Sequence, residues 1–161
     1  MQCKFQSVIL VSLAFLLLLL SSCTQIERAK DTSAVKSVIM HYHKGLIHAS
    51  KMGEMTPLNN IASDEVLRKL YFWIAAWDDA DMYMDAELKE IQFRSVVFSG
   101  NTAKVTTAED WLYNYRSLKT KQVVLPTERI SYEMEYTLNK NSAWTITLIS
   151  IKKEEKKHSK E

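Results

Sequence analysis

The chain has 161 residues, with 21 basic and 19 acidic side chains for a net charge of +2. A balance this even supplies no global field for nucleic acid or for an anionic membrane, while the length suits one domain with a sizeable core. Two cysteines in the whole chain exclude a disulfide scaffold or a cysteine-rich metal site.

Lys4 gives the first residues a weak positive charge, and Val8 to Leu20 is apolar apart from Ser12. A permanent membrane span needs about 20 apolar residues. This run is shorter and ends in small residues, as a cleavable secretory signal does. Its end, Leu20-Ser21-Ser22-Cys23, resembles the lipobox of bacterial lipoprotein precursors. The resemblance implies that the Cys23 thiol receives a diacylglyceryl group, with fatty acids such as palmitate as its acyl chains, and that the chain is cleaved between Ser22 and Cys23. Residues 1–22 are then a signal peptide. One acyl chain binds a membrane marginally and two or more hold it stably. The implied location is the exterior of the cytoplasmic membrane, or the outer membrane facing the periplasm. Thr24, which is not Asp, favours the outer membrane in enteric-type envelopes. Once Cys3 leaves and Cys23 carries lipid, no thiol remains for a disulfide, a metal or a nucleophile.

Residues 23–32 read as the lipidated cysteine and a polar tether. The first helix is expected to start near Ser33, after the N-cap candidates Asp31 and Thr32. Val35, Val38, Ile39, Tyr42, Leu46 and Ala49 fall on one helical face. His41, His43 and His48 fall off it or at its edge. No two of them stand at the i, i+4 spacing of a helical metal pair, so they read as solvent-side and no metal site is expected.

Gly53 and Pro57 punctuate the chain before a second helix opens at Ser63, with Asp64 and Glu65 suiting the helix dipole. Val66, Leu70, Trp73, Trp77 and Met84 share a stripe, which makes Trp73 and Trp77 core or pocket residues. Asp78, Asp81 and Asp85 then share a face, against the helix dipole. The glycine and ligand spacing of a calcium loop are missing, so an acidic surface meeting Lys or Arg from a sheet is expected.

From Glu87 the period shortens to two. Leu88 to Ser99 reads as a strand bulged near Ser95, and Gly100-Asn101 as a hairpin turn. Ala103, Val105, Thr107, Glu109, Trp111, Tyr113 and Tyr115 line one face of the next strand, and Ser117 to Gln122 turns the chain. Ile130, Tyr132, Met134, Tyr136 and Leu138 line the third strand, and Trp144, Ile146 and Leu148 the last. Helices followed by an antiparallel meander of about four strands make an α+β fold over residues 33–152. Residues 153–161, rich in Lys and Glu, read as a charged disordered tail.

The strand segments Trp111 to Tyr115 and Ile130 to Leu138, with the ending Asn139 to Ile146, resemble the nuclear transport factor 2-like superfamily. The resemblance implies a cone, in which a curved antiparallel sheet wraps its concave face around the N-terminal helices and often leaves a pocket. The superfamily holds isomerases and hydrolases with an acidic base, and also plain binding modules. Trp73, Trp77, Trp111, Tyr113 and Tyr132 are the pocket or core candidates. Glu109 is the one candidate acid/base, since a carboxylate in apolar surroundings has a raised pKa. The plainer account pairs Glu109 with Arg or Lys near a strand end.

No His-assisted catalytic set and no cofactor motif stands out. The expectation is therefore a lipid-anchored, non-catalytic module for an envelope protein or a small apolar ligand, with no cofactor and no nucleic acid. A small-molecule isomerase or hydrolase using Glu109 is the alternative. A structural subunit presenting an exposed sheet face is a third reading. Replacing Cys23→Ser is expected to abolish incorporation of labelled fatty acid into the protein; label persisting in the variant would exclude Cys23 as the acceptor.

Overall fold

Seven elements follow one another: helix α1 (Cys3–Met52), a short 3-10 turn (Thr56–Leu58), helix α2 (Asp64–Asp79), and strands β1 (Met82–Ser99), β2 (Thr102–Ser117), β3 (Val123–Lys140) and β4 (Trp144–Lys157). The computed structural model describes the backbone of residues 3–157 and the side chains of residues 27–156. Cys23, Ser22 and the signal segment lie outside the residues whose side chains are described. By internal contacts the chain divides into Met1–Ala34 and Val35–Glu161, and everything below concerns the second unit unless stated. Among the described residues, no helix is long and apolar enough to cross a membrane.

The strands pair antiparallel in sequence order, β1-β2-β3-β4, so every connection is a short turn. Two helices pack on this curved sheet, the α+β arrangement the strand alternation implies. Gly100, with φ of 55°, makes the β1–β2 hairpin, a backbone region that costs glycine nothing. The bulge expected in β1 appears as two register slips, between Leu88 and Glu90 and between Phe93 and Ser95.

The inward face of β2 carries Ala103, Val105, Thr107, Glu109 and Trp111, all buried. Tyr136 and Leu138 of β3, Ile146 of β4, and Val35, Ile39 and Tyr42 of α1 meet it in the same core. The loop before α2 is tied to β4. Ser63 N–H donates to the Ile146 carbonyl at 2.8 Å, and Ile146 N–H to that of Ile61 at 2.9 Å. This anchor sets where α2 starts.

Several expectations are corrected by the fold. Residues 27–32, expected as tether, are already helical, so α1 does not begin near Ser33. Helix α2 stops at Asp79 because Asp81 takes a left-handed backbone, φ 59°. Met84 and Asp85 therefore belong to β1, and Asp78, Asp81 and Asp85 share no helical face. Asp85 accepts from Arg116 Nε at 2.9 Å and Asp81 from Lys119 Nζ at 2.6 Å. The expected meeting with a basic residue of the sheet thus holds for Asp85, through Arg116 of β2, while Asp81 pairs with Lys119 of the β2–β3 turn.

At the other end, β4 runs past Lys152, with Glu154, Glu155 and Lys157 in register with β3. Ladder pairing makes strand of the charged segment read as a disordered tail, as far as Lys157; residues 158–161 lie outside the described residues. Leu148 departs from the Trp144–Ile146 face because the register slips between Thr137 and Leu138, which leaves it 46% exposed.

Gly45 allows the turn at Thr56–Leu58 to close against α1. A Cβ there would sit 2.5 Å from Leu58 Cδ2 and 2.8 Å from Cγ, and Leu58 is fully buried and cannot swing away. Alanine gains up to about 1 kcal/mol in helix propensity, whereas overpacking a closed core costs about 1–3 kcal/mol. Gly45→Ala is therefore expected to lower the unfolding free energy in urea melts, and Leu58→Ala in the same chain to make the added methyl neutral or stabilising. A Gly45→Ala protein more stable than the parent would contradict the close approach.

Candidate functional site

Glu109 sits in mid-strand on the concave face of the sheet and is 4% exposed. A carboxylate cut off from water needs a donor for each accepting site, and here both oxygens are served twice. Oε1 accepts from Thr107 Oγ1 at 2.6 Å and from Tyr136 Oη at 2.7 Å. Oε2 accepts from Trp111 Nε1 at 2.9 Å and faces His43 Nε2 at 3.3 Å. The period of two in β2 brings Thr107 and Trp111 to either side of Glu109, and Tyr136 comes from β3.

His43, at 2% exposure, comes from α1 and also meets Tyr136 Oη through Nε2 at 2.9 Å. Its ring lies edge-on to that of Trp111, 5.3 Å between centroids. This corrects the reading of His43 as solvent-side, and with it the absence of a His–carboxylate constellation. A helix lying on one flat surface buries a stripe of about 100°; α1 lies inside a curved sheet, so its buried arc extends from Ile39 to His43 one turn on. His41 is exposed as expected, and His48 pairs near the surface with Glu54 at 3.1 Å. The plainer pairing foreseen for Glu109, with a basic residue, belongs instead to its neighbour Asp110, which accepts from Arg129 Nε at 2.9 Å and from Ser131 at 3.1 Å.

The network sets the charge states. Burial alone would push the Glu109 carboxyl up, but the hydrogen bond and the charge of His43, followed by the bonds from Thr107 and Trp111, outweigh it and hold the group below its ordinary value. Glu109 is therefore ionised, which corrects the raised pKa required of a general acid or base. Tyr136 is held well above the ordinary tyrosine value by burial and then by the Glu109 charge, and Tyr42 is raised by the same two causes. Both phenols stay protonated.

Next to the network lies a cavity of about 480 Å³, bordered by Glu109, His43 and Tyr136. It exists because the main contacts of α2 are with β1 and β4, so the helix bridges the middle of the sheet instead of lying on it. Trp111, Tyr113, Tyr132 and Met134 from β2 and β3 form one wall, and Leu70 and Trp73 of α2 stand among the residues lining the rest. Trp111 and Tyr113 stack nearly parallel, 5.7 Å apart, and Tyr113 meets Tyr132 edge-on at 6.4 Å.

Of the expected pocket or core residues, Trp111 is core and cavity wall at once, and Tyr113 and Tyr132 line the cavity. Trp73, expected in the core or the pocket, stands outside the buried core. It is 38% exposed and lines the cavity. Trp77 stands apart from that lining, against Tyr115 at 4.2 Å. His43 is the functional residue that helical periodicity missed; its i+4 relation to buried Ile39 is the signal that could have found it. Among the described residues, no group of three or more His, Cys, Asp and Glu could hold a metal ion.

No protein-family model matches the sequence, and no curated protein matches it. Solved structures do. The crystal structure of the intermembrane space region of chloroplast protein ARC6 is similar with a TM-score of 0.64 and 18% identity, covering 72% of this chain and 92% of that one. A conserved protein from Planctomyces limnophilus DSM 3776 is similar with a TM-score of 0.50 and 11% identity, covering 76% and 98%. Both are likenesses of fold alone.

A carboxyl whose folded pKa is lowered contributes stability that is full above its unfolded value, near pH 4.5, and is lost as pH falls through the folded value. Glu109→Gln is expected to cost about 2–3 kcal/mol at pH 7, since bonds to a charged acceptor are lost. It should also flatten the part of the acid stability loss that Glu109 causes. Urea melts between pH 2.5 and pH 7 measure both; a variant with the parent's acid profile would show that Glu109 is not the group that titrates.

Proposed function

We propose that this chain is a non-catalytic binding module for a small, largely apolar ligand, held at a membrane surface by lipid on Cys23. The observation that carries the reading is the cavity of about 480 Å³. Its volume falls in the range of small-molecule sites, and its few polar groups set among aromatic walls are typical of them. It opens to solvent, since Trp73, Leu148 and Ile151 line it and are exposed. A nuclear transport factor 2-like cone is the finer description of the fold in this reading. The curved sheet, the helices on its concave face and a cavity beside them support it. The resemblance of Leu20 to Cys23 to a lipobox supports a location outside the cytoplasmic membrane, on that membrane or on the outer membrane facing the periplasm.

The alternative, an isomerase- or hydrolase-type enzyme with Glu109 as acid/base, has one observation in its favour: Glu109 borders the cavity beside Tyr136 and His43. Against it stands the state of the carboxylate. Both oxygens already accept from protein donors, and the group is held ionised. A general base must reach a substrate proton, and Glu109 would first have to give up a donor.

The test uses N-phenyl-1-naphthylamine, a neutral dye that brightens in apolar surroundings. Saturable binding to the purified protein with one site per chain is expected. Leu46→Trp, which fills the cavity, should weaken it at least tenfold while thermal melts remain cooperative. Absence of saturable binding, or binding unchanged in the filled variant, would overturn the cavity as the ligand site.

A further inference from the structure

A helix lying on a sheet ordinarily turns polar residues to water, and α2 departs from that rule. Its inward side is built on Val66 and Leu70, both buried, yet Tyr71 and Phe72 stand 57% and 65% exposed, with their rings edge to face at 5.9 Å between centroids. Successive residues turn about 100° around a helix, so Phe72 leads through exposed Ala76 to Trp73 at the cavity mouth. Leu148 and Ile151 of β4 also line the cavity and are exposed. Apolar side chains thus run from the outer side of α2 across the opening of the cavity, and a continuous surface of this kind marks a contact.

We propose that this face rests in the interfacial layer of the membrane that holds the Cys23 lipid, with Phe72, Ala76 and the cavity mouth turned toward the bilayer. The proposal rests on the lipid anchor put forward above. Twelve residues separate Cys23 from Val35, where the domain begins. At about 3.3–3.6 Å per residue they keep Val35 within about 40 Å of the lipid, however they are folded. A surface tethered so closely meets the bilayer at high effective concentration, so weak apolar contacts suffice.

Charge and shape favour the same occupant. The exposed charged residues of the cavity lining are paired, Lys69 with Glu65 at 2.8 Å and Glu128 with Lys156 at 3.0 Å. Covering the mouth therefore leaves no lone charge stranded there. Tyr and Trp beside aliphatic residues are the side chains that settle at the headgroup level, where an apolar body and a polar tip are both accommodated. The face is also broken by the mouth of a cavity. A rigid protein surface laid across it would leave a void with no contacts on one side, whereas lipid adapts to the opening.

The experiment uses the lipidated mature protein in phosphatidylcholine vesicles, with one nitroxide label per variant. With Cys3 removed and Cys23 acylated, an introduced cysteine is the single free thiol. Labels at Phe72→Cys and Ala76→Cys report on the proposed face, and both positions are exposed, so neither substitution opens the core. Val97→Cys is the reference. Val97 is exposed and pairs in register with exposed Lys104, whose neighbours Ala103 and Val105 are buried, so it lies on the side of the sheet away from the helices. The readout is the ratio of collisions with oxygen, which concentrates in the bilayer, to collisions with a neutral nickel chelate, which stays in water.

That ratio is expected to be at least fivefold higher at positions 72 and 76 than at position 97. Equal ratios in protein that floats with the vesicles would overturn the proposal and leave the anchor standing. Labels at 72 and 76 shielded from both colliders and broadened by a second label would assign the face to another copy of this chain, and overturn it as well. Protein that fails to float would overturn the anchor and the proposal together, while dye binding by the cavity is measured independently of both.

Discussion

The buried Glu109 carboxylate is the constraint around which the domain is arranged. Its donors come from three elements: Thr107 and Trp111 from β2, Tyr136 from β3 and His43 from α1. Leaving one such group unpaired in a dry interior costs about 1–3 kcal/mol or more when it is charged, comparable with a good part of a domain's net stability. The position of α1 on the sheet is therefore fixed by polar geometry as well as by apolar packing. Apolar contacts of Val35, Ile39 and Tyr42 would tolerate a small slide of the helix; the bonds of His43 Nε2 would not. Satisfied networks of this kind specify one arrangement.

That polar key and the cavity are linked. Trp111 is the joint between them, with its N–H bound to Glu109 and its ring against Tyr113 in the cavity wall. The large aromatic residues of β2 and β3 hold the wall rigid, and α2, whose main contacts are with β1 and β4, spans the gap. The cavity is thus formed by the fold itself, so a ligand bound there, as proposed, would lose little ordering entropy.

The sequence by itself determined the element types, the strand faces and the hairpins. Side-chain alternation from Ala103 to Tyr115 and from Ile130 to Leu138 allows only one face inward, and a chain of short turns allows only neighbouring strands to pair. It also put Glu109 on the inward face beside Trp111 and Tyr113. What it could not settle were features that depend on neighbours distant in the chain. The bulge that turns Leu148 outward arises from pairing with Thr137 and Leu138. The halt of α2 depends on the left-handed Asp81, whose carbonyl accepts from Leu118 N–H across the sheet at 2.8 Å.

Tertiary structure alone decided the burial of His43, the exposure of Trp73 and the ionisation of Glu109, and the reason is the same in each case. Helical periodicity reports which residues share a face, but not how far the surroundings wrap around it. A curved sheet wraps further around α1 than a flat one, which buries His43. It stands away from the middle of α2, which leaves Trp73 at a cavity instead of in a core. Whether an inward carboxylate is raised or lowered in pKa depends on how many donors reach it. Two of those donors, His43 and Tyr136, lie 66 and 27 residues away in sequence and meet Glu109 only in the folded chain.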